Sequence, residues 1–181
     1  MLCSAHFADA VFPWIGCDKP DCTYCGDGWE NLCNSRASKR FIDGKSMYGG
    51  YSSHVLVPHY KYLLDYEGIL PEGVGCIYMC AGLTAYSALK KVGEPPRGGG
   101  DVLILGLGGL GFQGLQLAKL MFGEPPRVAD IDEVKLAEAS RAGSVGYNST
   151  DIAAAKEIKA DTDGGVFAVI DFVGSEASYA F

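Results

Sequence analysis

Beyond residue 100 the chain alternates between short apolar runs and longer, more polar segments. Apolar runs of about four to eight residues bounded by turn residues are typical of buried strands, and the longer segments are typical of helices. A regular alternation of strand and helix predicts a parallel sheet. In chain order the predicted elements are strand VLILG, a helix through Ala118, strand RVADI, helix EVKLAEASRAG, strand VGYN, helix DIAAAKEIKA and strand FAVIDFVG.

The first half of the chain has a different sequence pattern. The segment from Met47 to Tyr66 is dense in Tyr, Val and Leu around a Gly-Gly turn, which predicts β structure. Ala, Leu and Met are frequent from Gly73 to Gly93, and the closing Lys-Lys-Val-Gly suits a helix C-terminus. The stretch GEPPRGGG then interrupts both patterns. We therefore expect two partial domains, at residues 1–94 and 95–181, and we find no internal repeat.

Composition narrows the class of protein. The 181 residues are 48% hydrophobic and 20% charged, which is enough to bury a core. The net charge of -7 argues against a nucleic-acid partner, because binding to a phosphate backbone depends on clustered Lys and Arg. The N-terminal segment lacks the pattern of a secretory signal, so we expect a cytoplasmic protein. The apolar run from Val102 to Phe122 contains five glycines, two glutamines and one lysine, which favours strand, turn and helix over a membrane span.

Four of the seven cysteines are clustered in a segment rich in Gly, Asp, Asn and Pro. In a reducing compartment such thiols are more often metal ligands than disulfides, and an odd total does not fit a fully paired framework. The clustering predicts a structural zinc ion held by four thiolates. An iron–sulfur cluster, and a chance grouping of cysteines in a polar loop, are alternatives that we rank below zinc. The spacing C-x4-C-x2-C-x7-C joins Cys17, Cys22, Cys25 and Cys33.

A glycine-rich motif, GLGGLG, lies at the first predicted strand-to-helix turn. Gly106, Gly108 and Gly111 occupy the GxGxxG positions, which allow a tight turn, close approach of a pyrophosphate, and packing of helix on strand. Asp130 follows Gly111 by nineteen residues and ends the next predicted strand, where an acid binds the adenosine ribose hydroxyls. A carboxylate there repels the 2′-phosphate of NADP, so the motif predicts NAD. A glycine-rich turn without a ligand is the alternative.

The order of several motifs resembles that in the zinc-dependent alcohol dehydrogenases of the medium-chain dehydrogenase/reductase superfamily. The resemblance implies an α/β fold, in which an incomplete Rossmann-type, doubly wound parallel sheet follows part of a β-rich, GroES-like catalytic domain with a structural zinc lobe. It also implies hydride transfer from a small alcohol to NAD, giving an aldehyde or ketone. The motifs cover nearly the whole chain from about Val11 and are PWIGC, ENLC, GGYSSHVLVP, CAGLTAYSALKK, GLGGLG with VADID, and VIDFVG.

The resemblance implies roles for individual residues. The four clustered cysteines would hold the structural zinc, although the family usually has two residues between the first and second cysteines and this chain has four. Cys80 would be one of three protein ligands of a catalytic zinc, and Thr84 would lie near the nicotinamide. Without the resemblance, Cys80 and Cys76 would be interpreted as small core residues of a helix, and Phe172 and Val173 as core residues at a strand end. The implied cofactor-binding residues are Thr84, Gly106, Gly108, Gly109, Leu110, Gly111, Asp130, Lys135, Phe172 and Val173.

Other parts of the family pattern have no counterpart in this sequence. Family members carry a cysteine and a histidine ahead of the structural lobe as the other catalytic zinc ligands, whereas Cys3 and His6 match no family motif and we treat them as unrelated. The predicted sheet has four strands where the family has six. We therefore expect part of a longer protein, a homodimer or homotetramer when whole, and we expect this segment alone to be inactive. The alternative function is a non-catalytic, zinc-stabilised module that binds a dinucleotide.

Overall fold

The computed structural model describes most of the chain. It covers residues 2–3, 10–11, 16–17, 19–35, 41–42, 45–46, 55–56, 60–66, 68–71, 73–93 and 101–181. The chain divides into two compact units, Met1–Cys80 and Ala81–Phe181. The division thus falls inside a helical segment, whereas composition suggested a boundary after residue 94.

The first unit contains short antiparallel strand pairs. Its strands are β1 (Leu2–Cys3), β2 (Ala10–Val11), β3 (Phe41–Ile42), β4 (Lys45–Ser46), β5 (Val55–Leu56) and β6 (Leu64–Asp65). β1 pairs with β5, β2 with β6, and β3 with β4. β5 and β6 lie in the segment for which the sequence predicts β structure, and residues 47–54 and 57–59 of that segment lie outside the described residues.

Short helical turns carry the cysteine-rich segment. Helix α1 (Thr23–Gly26) is followed by a 3-10 turn at Glu30–Leu32, and a second 3-10 turn lies at Tyr60–Tyr62. These turns are too short to be stable without further support, because isolated helices of this length are marginal in water. Ligands that tie the turns together would supply that support.

The helix predicted between Gly73 and Gly93 is present, but it is not uniform. It consists of α2 (Gly75–Ile77), a π-helical turn at Tyr78–Gly82 and α3 (Leu83–Val92). Lys90 and Lys91 lie in the last turn, and Gly93 ends the helix with a positive φ of 78°. This matches the usual C-terminal pattern of cations in the last turn and glycine after it. α3 packs against elements of the second unit.

The second unit has the predicted alternation of strand and helix. The sheet order is β9-β8-β7-β10 and all pairs are parallel, so the strands run outward in both directions from β7. This is the first part of a doubly wound sheet. The elements are β7 (Val102–Leu105), α4 (Gly109–Phe122), β8 (Arg127–Asp130), α5 (Glu133–Arg141), β9 (Gly146–Asn148), α6 (Ala154–Asp161), β10 (Ala168–Asp171) and α7 (Glu176–Ala180).

Both faces of this sheet are covered around β7. Leu103 and Leu105 pack with Ile158 of α6 on one face, and Ile104 packs with Leu115 of α4 on the other. All four residues of β7 are buried. A strand that is buried on both faces has apolar residues at successive positions. This explains why the sequence VLIL predicted a strand. Full burial of each large side chain contributes about 1.5–3 kcal/mol.

A polar network joins the amino ends of the strands. Arg127 donates through Nε to Asp101 Oδ2 at 3.0 Å, through Nη1 to Tyr147 Oη at 2.6 Å and through Nη2 to the Asp161 carbonyl at 2.8 Å. The Tyr147 hydroxyl in turn donates to Asp161 Oδ2 at 2.8 Å. Burial, together with the hydrogen bond to Asp161, raises the pKa of Tyr147, so the hydroxyl remains a donor at neutral pH. The network lies opposite the carboxyl ends, where the candidate site is found.

None of the helices in the described part of the chain is both long enough and apolar enough to cross a membrane.

Candidate cofactor site and metal sites

The glycine-rich turn connects β7 to α4. Gly106 has a φ of +87°, a conformation that side chains rarely adopt, and its N–H donates to the Ala129 carbonyl at 2.8 Å. A Cβ on Gly111 would overlap the Gly106 carbonyl oxygen. The third glycine therefore lets the first turn of α4 lie directly on the end of β7, as the motif requires.

The other two glycines of the turn face open space. Apart from the adjoining residues and the backbone of α4 itself, no atom lies within 4 Å of a Cβ built on Gly108 or Gly109. Gly108 is the N-cap of α4, and no side chain caps the helix there. The first N–H groups of a helix have no partner within the helix and carry the positive end of its dipole. This end of α4 therefore offers backbone donors and room for an anionic group such as a pyrophosphate.

Asp130, at the carboxyl end of β8, is bonded to the glycine-rich turn. Its side chain is only 7% exposed, and Oδ2 accepts the Leu107 N–H at 2.5 Å. Oδ1 accepts the Asp132 N–H at 2.9 Å and lies 3.9 Å from Lys135 Nζ. A carboxylate has about four acceptor positions. Asp130 can therefore hold the turn in place and still accept a hydrogen bond from a ligand hydroxyl.

Phe172 and Val173 follow the end of β10 on the other side of the turn. The ring of Phe172 is partly buried, and a Cβ on Gly114 would come within 2.9 Å of it. Val173 is 55% exposed, and its Cγ2 lies 2.5 Å from where a Cβ on Gly106 would be. Phe172 thus behaves as a packing residue, whereas Val173 is presented at the surface. The structure brings Gly106, Asp130 and Val173 together at the carboxyl edge of the sheet, which is where ligands bind in folds of this kind.

The four clustered cysteines bring their sulfur atoms together. All four Sγ atoms lie within 4.8 Å of one another, with Cys17 to Cys25 and Cys22 to Cys33 each at 3.8 Å. Four sulfurs bound tetrahedrally at about 2.3 Å from one zinc ion lie about 3.8 Å apart. The cluster therefore has the size of a tetrahedral zinc site, although the sequence has four residues between its first two cysteines.

Local structure explains how the sulfurs converge. Cys22 is the N-cap of α1, Cys25 lies within that helix, and Cys33 follows the 3-10 turn at Glu30–Leu32. Gly16 precedes the first cysteine, and a Cβ there would come within 2.5 Å of Cys25 Sγ. The sequence analysis did not predict that Gly16 leaves room for the Cys25 sulfur. The glycine in PWIGC is the only sequence signal of this requirement.

The thiols of the cluster differ in acidity. Burial and the neighbouring thiols raise the pKa of Cys25 to about 12. Burial opposes ionisation of Cys33 as well, but hydrogen bonds from the Ser35 backbone, Cys17 and Cys25 outweigh it and lower the pKa of Cys33 to about 7. Adjacent thiolates repel one another. Ionisation of one thiol therefore makes ionisation of the other three less favourable. A divalent cation would favour the thiolate form of all four.

Cys80 and Thr84 lie in the helical segment. Cys80 is exposed in the π-helical turn, and Thr84 is exposed near the start of α3. Cys76 is exposed too, and its Sγ donates to the Gly73 carbonyl at 3.2 Å. The interpretation of Cys76 and Cys80 as core residues is therefore wrong. Among the described residues, the only group of three or more close metal-ligating side chains is the four-cysteine cluster, so Cys80 has no second ligand there.

Known proteins resemble this chain in sequence and in fold. An NAD-dependent alcohol dehydrogenase of Sulfurisphaera tokodaii is 36% identical over 170 residues, which is 92% of this chain and 46% of the relative. An alcohol dehydrogenase of Moraxella sp. is 34% identical over 169 residues, 91% of this chain and 46% of the relative. The crystal structure of an alcohol dehydrogenase from Aeropyrum pernix matches with a TM-score of 0.73 at 27% identity, covering 95% of this chain and 50% of that one. No protein-family model matches the sequence.

These similarities confirm the resemblance found in the order of motifs. Over most of its length the chain is similar in sequence and in fold to alcohol dehydrogenases, several of which are named NAD-dependent. It spans about half the length of the curated relatives that it matches.

Proposed function

We propose that this chain is part of a zinc-containing alcohol dehydrogenase that transfers a hydride from an alcohol to NAD. The observation that carries the proposal is the hydrogen bond between Asp130 and Leu107, which joins the acid to the glycine-rich turn. A site of this kind suits a dinucleotide, because it offers donors for a pyrophosphate and an acceptor for ribose hydroxyls at one sheet edge. The names of the sequence relatives support the same reaction.

Each part of the proposed cofactor site has a defined task. The backbone at Gly108, Gly109 and Leu110 would bind the pyrophosphate at the start of α4. Asp130 would accept hydrogen bonds from the adenosine ribose, and its negative charge would disfavour the 2′-phosphate of NADP. Lys135 lies beside Asp130 and is 40% exposed in its side chain, so it would remain able to reach the ribose. Val173 would cover the adenosine side of the cofactor.

Two zinc sites are part of the proposal. Cys17, Cys22, Cys25 and Cys33 would hold a structural zinc, and their sulfur distances fit that ion. Cys80 would supply one thiolate to a catalytic zinc, which when bound acts as a Lewis acid on the alcohol oxygen. One ligand does not make a catalytic site, since such sites use three protein ligands.

The whole protein would act on a small alcohol or aldehyde. We extend the proposal to a homodimer or homotetramer in the cytoplasm, on the basis of the family resemblance. Light scattering of the purified complete protein tests the assembly. A monomer would contradict it.

The test of activity uses the complete, zinc-loaded protein with primary and secondary alcohols and NAD. We expect turnover in the unaltered protein, loss of turnover on Cys80→Ala, and little change on Cys76→Ala, since Cys76 is an exposed thiol one helical turn away. The alternative is a non-catalytic module, and the observation in its favour is that, among the described residues, no group of three or more close metal-ligating side chains includes Cys80. It predicts NADH binding without turnover of any alcohol.

A further inference from the structure

Asp171 is the centre of a hydrogen-bonded turn that the proposed mechanism does not use. Its Oδ1 accepts the N–H groups of Val173 at 2.8 Å and Gly174 at 3.1 Å. Its Oδ2 accepts the Ser178 hydroxyl at 2.7 Å, which ties the first turn of α7 to the end of β10. Asp171 is exposed, and although desolvation alone would raise its pKa, these three donors outweigh that effect and lower the pKa. The side chain is therefore a carboxylate that satisfies three donors at once.

The turn that Asp171 organises leads directly to the glycine-rich motif. Gly174 has a φ of +67°, so the chain reverses there and presents Val173 towards Gly106. The methyl Cγ2 of Val173 occupies the space that a side chain on Gly106 would need. On the other side, the Phe172 N–H continues the sheet by donating to the Leu105 carbonyl at 3.0 Å. The residues on both sides of the turn are thus fixed to the end of β7.

We propose that Asp171 is a positioning residue for dinucleotide binding, which acts by holding Val173 against Gly106. The inference rests on the proposed function. Gly106 has a φ of +87°, and because glycine can adopt many other backbone conformations, its surroundings must hold it in this one. Val173 supplies part of those surroundings, and Asp171 fixes Val173. Loss of the Asp171 carboxylate would release the turn and allow the phosphate-binding backbone at the start of α4 to move, which weakens binding because preorganisation is lost.

The test is a double-mutant cycle on NADH affinity in the complete protein, measured by fluorescence titration. Asp171→Ala should raise the Kd for NADH about tenfold, and Val173→Ala should raise it about fivefold. If Asp171 acts through Val173, the double variant should resemble Asp171→Ala rather than show the product of the two effects. Asp171→Asn should restore affinity to within about threefold of the unaltered protein, because its oxygen still accepts from the backbone and its NH₂ can donate to Ser178.

The matched control is Asp161→Ala, which removes a hydrogen-bonded carboxylate at the opposite end of the sheet. It should lower stability and leave NADH affinity unchanged. If Asp171→Ala does not fold, Ser178→Ala removes one of the three donors more mildly and should still raise the Kd about threefold.

An NADH affinity unchanged in Asp171→Ala, or in Ser178→Ala where that variant is used, overturns the inference, and so does full additivity in the cycle. These outcomes differ from failure of the proposed function, in which the unaltered protein itself does not bind NADH.

Discussion

The buried carboxylate of Asp130 accepts the backbone N–H of Leu107 at 2.5 Å, so the acid that ends β8 and the glycine-rich turn that follows β7 form one hydrogen-bonded unit. The bond spans 23 residues of sequence. It gives Asp130 a structural role in addition to its proposed contact with ribose. Replacing Asp130 therefore affects stability and cofactor binding together, and the two effects need separate measurements.

Asp130→Ala should destabilise the protein by about 2–3 kcal/mol, because the Leu107 N–H loses a charged acceptor in a buried position. Asp130→Asn should cost less, since the amide oxygen can still accept that bond. Urea denaturation measures both changes. Glu138→Ala on the exposed face of α5 is the control and should change stability by less than about 0.5 kcal/mol. Equal stability of Asp130→Ala and the control would show that the hydrogen bond contributes nothing.

Two glycines of the same motif should respond differently to alanine. Gly111→Ala forces a Cβ onto the Gly106 carbonyl oxygen, so we expect a loss of about 1–3 kcal/mol in stability from overpacking. A Cβ on Gly108 meets open space and its backbone is extended, so Gly108→Ala should fold normally. The same methyl would occupy the approach of a pyrophosphate, and NADH affinity should fall at least about tenfold. A Gly108→Ala protein that binds NADH as well as the unaltered protein would argue against this placement of the phosphates.

The cysteine cluster should bind one zinc ion that stabilises the first unit. Cys25→Ser should lower the zinc content by one ion per chain and reduce the melting temperature, because metal binding is coupled to folding. Mass spectrometry under native conditions and calorimetry measure the two effects. Cys76→Ser is the matched control, since Cys76 lies outside the cluster and is exposed. Zinc content that is the same in both variants would mean that the four thiols are not the site.

The network around Arg127 should contribute to stability without affecting the cofactor. Tyr147→Phe removes the hydroxyl that connects Arg127 with Asp161 and should cost about 1–2 kcal/mol in the free energy of unfolding. Tyr179→Phe is the control, because Tyr179 is 92% exposed. Thermal and urea unfolding should separate the two variants, and their NADH affinities should be equal. A larger effect at Tyr179 would contradict the account of the network.

Sequence patterns predicted much of the second unit because β7 and β8 are almost wholly buried and because α4 and α5 are long enough to show their composition. The run VLIL and the spacing of GLGGLG to Asp130 are signals of this kind. Patterns do not reveal hydrogen bonds from backbone groups, and so the bonds from Leu107 to Asp130 and from Val173 to Asp171 became visible only in the structure.

The cysteine cluster shows both what the sequence predicts and what it does not. Thiol spacing predicted that Cys17, Cys22, Cys25 and Cys33 converge, since few other arrangements explain four clustered cysteines. The need for Gly16 beside Cys25 depends on the path of the backbone, which spacing does not describe. The exposure of Cys76 was also unpredictable, because composition marks a helix without showing which of its sides is covered.

The most direct test of the central claim is a calorimetric titration of the complete, zinc-loaded protein with NADH and with NADPH. The account predicts that NADH binds at least about tenfold more tightly, a difference of about 1.4 kcal/mol, and that Asp130→Ala reduces the preference to within about threefold. NADPH binding as tight as NADH binding in the unaltered protein would contradict the role of Asp130, and absence of binding by both would contradict the dinucleotide site itself.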